Sequence, residues 1–164
     1  MNALALLTLA GLLLSLGAYA ASAAALLRAR RASRGEPVAG WEPGVSIVKP
    51  LSGVDEGLEQ NLESFFRLDY PAGAVEVIFS FASEADPAYP IAQRIADRHP
   101  GVPSVFVFDG REPGGNAKVN RLMAALRHAR HRLFLFSDGN VRVRPDFLRR
   151  AVSWFANPWP GRSA

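Results

Sequence analysis

Four short apolar runs, each followed by a stretch with helical spacing, constrain this chain more than any other feature. Val45-Ser46-Ile47-Val48-Lys49-Pro50, Val75–Phe81, Ser104–Phe108 and Leu133–Phe136 are rich in Val, Ile and Phe and are bounded by turn formers or charge. Runs of that length and composition read as strands. Between them, Leu58, Leu62, Phe65 and Phe66 fall on one helical face, from a cap at Ser52 or Asp55 to about Leu68. Asp86-Pro87 reads as an N-cap with proline at the first helical position, opening a helix that uses Ile91 and Ile95 and ends near His99-Pro100. Ala117 to about Ala129 presents Leu122, Ala125, Leu126 and Ala129, and Pro145-Asp146-Phe147-Leu148 starts a last helix. Strand–helix alternation with near-continuous apolar strands predicts an α/β fold, a parallel sheet covered by helices on both faces and joined by right-handed crossovers.

The N-terminus is of a different kind. No charged residue occurs from Met1 to Leu27, a Leu- and Ala-rich segment, and a helix needs about 20 such residues to span a bilayer. A cleaved signal peptide is the rival, with Ala18-Tyr19-Ala20 or Ala21-Ser22-Ala23 as a cutting site. A signal peptide wants a basic start, and Met1-Asn2-Ala3-Leu4 has none. The positive charge lies on the other flank, at Arg28, Arg30, Arg31 and Arg34. Basic flanks stay cytoplasmic. The reading is an uncleaved single-pass anchor over residues 1–27, N-terminus outside, with a basic juxtamembrane linker over 28–44.

Charge follows this division. The chain carries 19 basic and 15 acidic residues, net +4, and the four juxtamembrane arginines account for all of it. Glu36–Gly110 holds four basic and twelve acidic residues, net −8, whereas Arg111–Arg150 holds ten basic and three acidic, net +7. The basic half favours an anionic ligand or surface, and solvated helix faces would use charge in the same way. A domain without net positive charge or a basic–aromatic stripe excludes nucleic-acid binding. No cysteine is present, which excludes disulfides and thiolate metal sites.

Strand ends supply the candidate chemistry, because ligands of open α/β sheets bind outside the carboxyl ends of the strands. The first run ends in Lys49, the second is followed by Asp86, and the fourth ends in Ser137-Asp138-Gly139-Asn140. Asp138 suits a divalent metal bound through oxygen, and Asp138-Gly139 equally suits a plain turn. Gly114-Gly115-Asn116 leads into the helix that carries Lys118 and Asn120, leaving backbone N–H groups and a cation for an anion. It is neither a P-loop nor a dinucleotide fingerprint. Each residue has a plainer role open to it: Asp86 as a cap, Lys118 as a solvated first-turn lysine, Asn140 as a turn residue, Lys49 pointing to water. His99, His128 and His131 read as surface residues beside helix ends, and no nucleophile–histidine pair is formed.

In order, the segments Val45–Asp55, Asn61–Pro71, Asp86-Pro87-Ala88, Asn116–Leu122 and Ser137–Val143 resemble the ceramide glucosyltransferase family of membrane glycosyltransferases. The bacterial enzymes that glycosylate hopanoid lipids are similar over the same stretch. The resemblance covers about Val45 to Leu148. It implies a Rossmann-like sheet of the glycosyltransferase A type over 45–156, behind the anchor, with an irregular tail over 157–164. It implies inverting transfer of a glucose- or N-acetylglucosamine-type sugar from a UDP-sugar to a membrane-lipid hydroxyl, such as that of ceramide or a hopanoid. The domain would face the cytoplasm, and a divalent metal (Mg or Mn) would be the cofactor. Asp86 matches the family's first aspartate, expected near the nucleotide, with Lys118, Asn120 and Lys49 as further substrate contacts. Asp138 matches the second, expected at the metal and diphosphate. Asn140 stands at the second acidic position of an Asp-x-Asp metal motif, so that ligand is neutral here. The family's third aspartate, the expected base, and its Gln/Arg-x-x-Arg-Trp motif both follow the second aspartate, and neither occurs in this sequence. The expectation is a C-terminally truncated product that holds the donor half of a site; the alternatives are an inactive membrane-anchored nucleotide-sugar-binding fragment, or an anchored α/β module that binds a protein partner and uses its acids only as caps and turns. The truncated product would lack general-base help, typically worth about 10²–10⁴ in rate.

Overall fold

The computed structural model describes residues 2–32, 40–110 and 114–156. The expected tail over 157–164 and most of the linker's glycine- and proline-bearing stretch lie outside the described residues. Two compact units divide the chain, one holding the N-terminal helix and the other the sheet.

Helix α1 runs over Ala3–Ala32. Within it Leu9–Arg28, 20 residues of mean hydropathy 1.8, is long and apolar enough to cross a membrane. Leu9, Leu12, Leu13, Leu14 and Leu16 are all exposed, so these leucines are not part of a packed core.

The second unit begins with β1 (Val45–Pro50), followed by α2 (Leu58–Glu63), β2 (Val75–Phe81), α3 (Tyr89–Arg98), β3 (Ser104–Phe108), α4 (Ala117–Leu126), β4 (Leu133–Phe136) and α5 (Phe147–Ala156). All four strands are parallel, in the order β3-β2-β1-β4. The first two crossovers step one way along the sheet, and α4 carries the chain back past β1 to its far side. Right-handed connections then place α2 and α3 on one face and α4 on the other. The core divides accordingly. Ile47, Val77, Phe79 and Phe81 meet Leu58 and Leu62 of α2, Ala92 and Ile95 of α3, and Leu148 and Val152 of α5. Val48, Ile78 and Val107 meet Ala124 and Ala125 of α4. Every residue of β1 and β2 is buried, which is why both read as near-continuous apolar runs.

Three expectations are corrected. Helix α2 does not start from a Ser52 or Asp55 cap. Its N-cap is Gly57, with φ 74°, a left-handed conformation that glycine adopts freely. The helix ends at Glu63, and Phe65 and Phe66 are buried in the turn after it. Asp86 does not cap α3 either. It closes the turn before it, accepting the Ala88 N–H at 2.9 Å, while Ala88 is the N-cap. The sheet is not covered on both faces at β4, where Phe134 and Phe136 are 46% and 50% exposed. The register puts these two beside Ser46 and Val48 on the α4 side, and α4 packs over β1 and β2 instead.

Beneath the amino ends of the strands, Glu76 is fully buried. It accepts Ser46 Oγ at 2.5 Å, the Arg130 N–H at 2.6 Å and Arg130 Nε at 2.8 Å. Burial pushes its carboxyl up, but these three bonds outweigh it and hold the group below its ordinary range. The network ties the α4–β4 connection to β1 and β2.

Candidate donor site at the strand switch

Strand order reverses between β1 and β4, and the crevice outside their carboxyl ends is where doubly wound sheets bind ligands. A cavity of about 230 Å³ lies there. The loop after β1 contributes Leu51, Ser52, Gly53 and Asp55, α4 contributes Lys118 and Arg121, and the loop after β4 contributes Asp138, Gly139 and Asn140. Its volume falls below the roughly 300–1,000 Å³ of pockets that enclose a whole drug-sized ligand, so it can enclose only part of a ligand of that size.

Asp138 is brought to the cavity by the end of β4. The Ser137 N–H bonds the Val48 carbonyl at 3.1 Å, extending the β1–β4 ladder by one residue. Gly139 then lets the chain pass close to the core, since a Cβ there would sit 3.1 Å from Leu51 Cδ2 and 3.3 Å from Leu58 Cδ1. Lys118 comes from the first turn of α4. That turn is set by Asn116, whose side-chain oxygen accepts the Lys118 and Val119 N–H groups at 3.1 and 3.2 Å. Lys118 Nζ lies 2.5 Å from Asp138 Oδ1, both side chains about half exposed.

Lys118, Asp138 and Asn140 therefore meet at one cavity, and the other three predicted contacts do not line it. Lys49 is completely buried. Its ammonium donates to Ser137 Oγ at 3.1 Å and to the Asp138 carbonyl at 2.9 Å, and lies 3.7 Å from the centre of the Phe65 ring. Burial pulls its pKa down to about 7, against the opposing charge of Asp138. Lys49 does not point to water; it supports the loop from below. Asp86 stands behind the β1 loop, accepting the Gly53 N–H at 3.0 Å and 3.3 Å through its two carboxylate oxygens. Gly53 has φ 71°, a left-handed conformation that a side chain would strain. Asn120 donates to the Gly114 carbonyl at 2.9 Å, fastening the glycine stretch to α4.

Arg121 and Asp55 line the cavity without having been predicted as site residues. Arg121 follows Lys118 by three positions, the spacing that puts two residues on one helix face; that was the available signal.

Oxygen donors fit a hard divalent cation. Asp138 offers a carboxylate and Asn140 an amide oxygen, and the Lys118 ammonium already stands where positive charge is favoured. Among the described residues no three acids or histidines cluster. Asp138 and Asn140 are two side chains of the cavity that could hold such a cation, with its other positions filled from outside the protein.

A family model described as glycosyl transferase family 21 matches residues 7–161. Ceramide glucosyltransferase 1 of Caenorhabditis elegans is 43% identical over 104 residues, which is 63% of this chain and 22% of that protein. The chain thus spans about a fifth of the length of such curated relatives. Among solved structures, a mannosyltransferase from Pyrobaculum calidifontis in complex with GDP-Man and Mn²⁺ superposes with a TM-score of 0.64 at 26% identity, over 81% of this chain and 40% of that one. The S. aureus protein TarS (1–349), in complex with UDP-GlcNAc, matches with a TM-score of 0.54 at 16% identity, over 74% and 36%. The second likeness is one of fold alone.

Proposed function

The chain belongs to glycosyl transferase family 21, and from that membership we propose that it supplies the donor-binding part of a hexosyltransferase of the ceramide glucosyltransferase type. The donor is a UDP-sugar, the acceptor a hydroxyl of a membrane lipid such as ceramide or a hopanoid, and transfer inverts the anomeric carbon. The observation that carries this reading is the meeting of Lys118, Asp138 and Asn140 at the β1–β4 switch. The P. calidifontis relative, solved with GDP-Man and Mn²⁺, supports a nucleotide-sugar and metal assignment for that place. Helix α1, with arginines on one flank, anchors the domain at the cytoplasmic surface of the bilayer in this reading.

Bond breaking in such a transfer leaves a diphosphate, so the site must stabilise growing negative charge. Asp138 and Asn140 would hold the divalent cation, which when bound neutralises part of that charge. Lys118 turns from Asp138 to the phosphate oxygens. A half-exposed ion pair is worth only about 0.2–1 kcal/mol, so giving it up costs little. Lys49 holds the Asp138 carbonyl, and with it the direction in which the carboxylate leaves the strand. Asp86 fixes Gly53 on the opposite wall.

A second reading, donor binding without turnover, draws on the acids in the cavity. Among the described residues they are Asp55 and Asp138, and Asp138 is taken by a cation. Calorimetry with UDP-glucose and Mn²⁺ tests binding, and sugar transfer to ceramide or a hopanoid in vesicles tests turnover. Mn²⁺-dependent binding that is lost in Asp138→Ala supports the site, and unchanged affinity in that variant overturns it. Binding with no transfer to either lipid selects the second reading.

A further inference from the structure

Two basic side chains line the cavity, and among the described residues only one is partnered. Lys118 is paired with Asp138. Among the described residues the Arg121 guanidinium takes part in no hydrogen bond or ion pair, and its Nε is shielded from solvent with no acceptor. Buried donors are ordinarily bonded, and an unbonded one calls for an explanation. The residue is not loosely placed. Its backbone carbonyl accepts Ser80 Oγ at 2.9 Å, which pins this turn of α4 to the end of β2.

Charge balance points the same way. The acids of the lining, Asp55 and Asp138, are matched in number by Lys118 and Arg121. A divalent cation would leave an excess of two positive charges, the complement of the two ionised oxygens of a diphosphate diester. Without Arg121 the lining falls one charge short. Guanidinium also presents parallel N–H donors that suit two phosphate oxygens at once, which an ammonium cannot do.

Resting on the donor-site reading above, we infer that Arg121 is a second anion-binding residue of this cavity, taking phosphate oxygens of a nucleoside diphosphate beside Lys118. Arg121 thereby makes the site select a diphosphate over a monophosphate.

The test is calorimetry on the full chain in detergent or nanodiscs with Mn²⁺, using UDP and UMP as probes. Arg121→Ala should weaken UDP by about tenfold to a hundredfold, the usual effect of losing a charge-assisted bond. UMP affinity should stay within about threefold, and Arg121→Lys should recover part of the loss. UDP affinity unchanged in Arg121→Ala, or equal losses of UDP and UMP, overturns the inference. Wild-type chain that shows no Mn²⁺-dependent UDP binding overturns the donor-site reading instead. Pyrophosphate then decides for Arg121: binding that requires this residue keeps an anion site here, and binding that does not require it removes the inference as well.

Discussion

Lys49 Nζ lies 2.9 Å from the backbone carbonyl of Asp138, across the junction of β1 and β4. A completely buried ammonium is thus spent on holding the loop that carries the site's acid. Its remaining partners, Ser137 Oγ and the Phe65 ring, belong to the same corner.

Lys49→Met tests that support. The change removes the cost of burying an ammonium, and its acceptors sit on Ser137, half-buried, and Asp138, exposed, where water can replace it, so the melting temperature should move by only a few degrees. The Asp138 carbonyl and Ser137 hydroxyl lose their donor, and the loop loses its fixed direction. Mn²⁺-dependent UDP affinity should therefore fall about tenfold or more. Calorimetry and a thermal melt on the same preparation check this. Retained affinity with a collapsed melting temperature would mark Lys49 as a structural residue alone.

Lys118→Ala should move two affinities in opposite directions. Lys118 occupies the carboxylate that a cation needs, so removing it should raise Mn²⁺ affinity in the absence of nucleotide. The rise should reach about fivefold, the equivalent of roughly 1 kcal/mol for a surface pair. UDP affinity should fall, because the ammonium no longer meets the phosphate. Manganese paramagnetic resonance reads the first and calorimetry the second. A fall in both would show that Lys118 does not compete for Asp138.

Much of this arrangement is legible in the residues, and what is not has definite physical causes. All four strands match the apolar runs residue for residue, since burial and β-branching are local properties of the sequence. The strand order is not local. It depends on α4 passing back over β1, and that choice decides which strand ends become neighbours. Asp138 and Lys118 could be read as site residues because one ends a strand and the other opens a helix. Lys49 could not be read as buried, since lysine is rarely fully so; the ring of Phe65 and the oxygens that receive it come from other elements. Arg121 needed knowledge of which face α4 turns to the cavity. Exposure of Phe134 and Phe136 followed from β4 being an edge, a fact of sheet order.

Substitution along β4 should accordingly alternate in effect. Phe134→Ser and Phe136→Ser remove half-exposed rings at the sheet edge, where an apolar strand invites association. Each should change stability by no more than about 0.5 kcal/mol and reduce aggregation measured by light scattering. Leu135→Ala, between them, faces the core of α2, α3 and α5 and should cost about 2 kcal/mol in a denaturant titration. Equal costs at all three positions would contradict the observed register.

Acid sensitivity should originate at the opposite end of the sheet from the cavity. Burial raises the Glu76 carboxyl, but the bonds from Ser46 and Arg130 outweigh it and hold the group below the ordinary glutamate value. A carboxylate with a depressed native pKa binds fewer protons in the folded than in the unfolded chain. Its stabilisation is therefore complete above that ordinary value and is lost as pH falls through the depressed one. Glu76→Gln keeps the shape but removes the charge that Arg130 N–H and Nε meet. It should cost about 1.5–3 kcal/mol at neutral pH. The variant should also lose part of the wild-type decline in stability below pH 4.5. Denaturant titrations of both proteins from neutral to acid pH check the two effects together. Parallel pH curves would show that the network around Glu76 does not carry the acid response, even if the variant is less stable throughout.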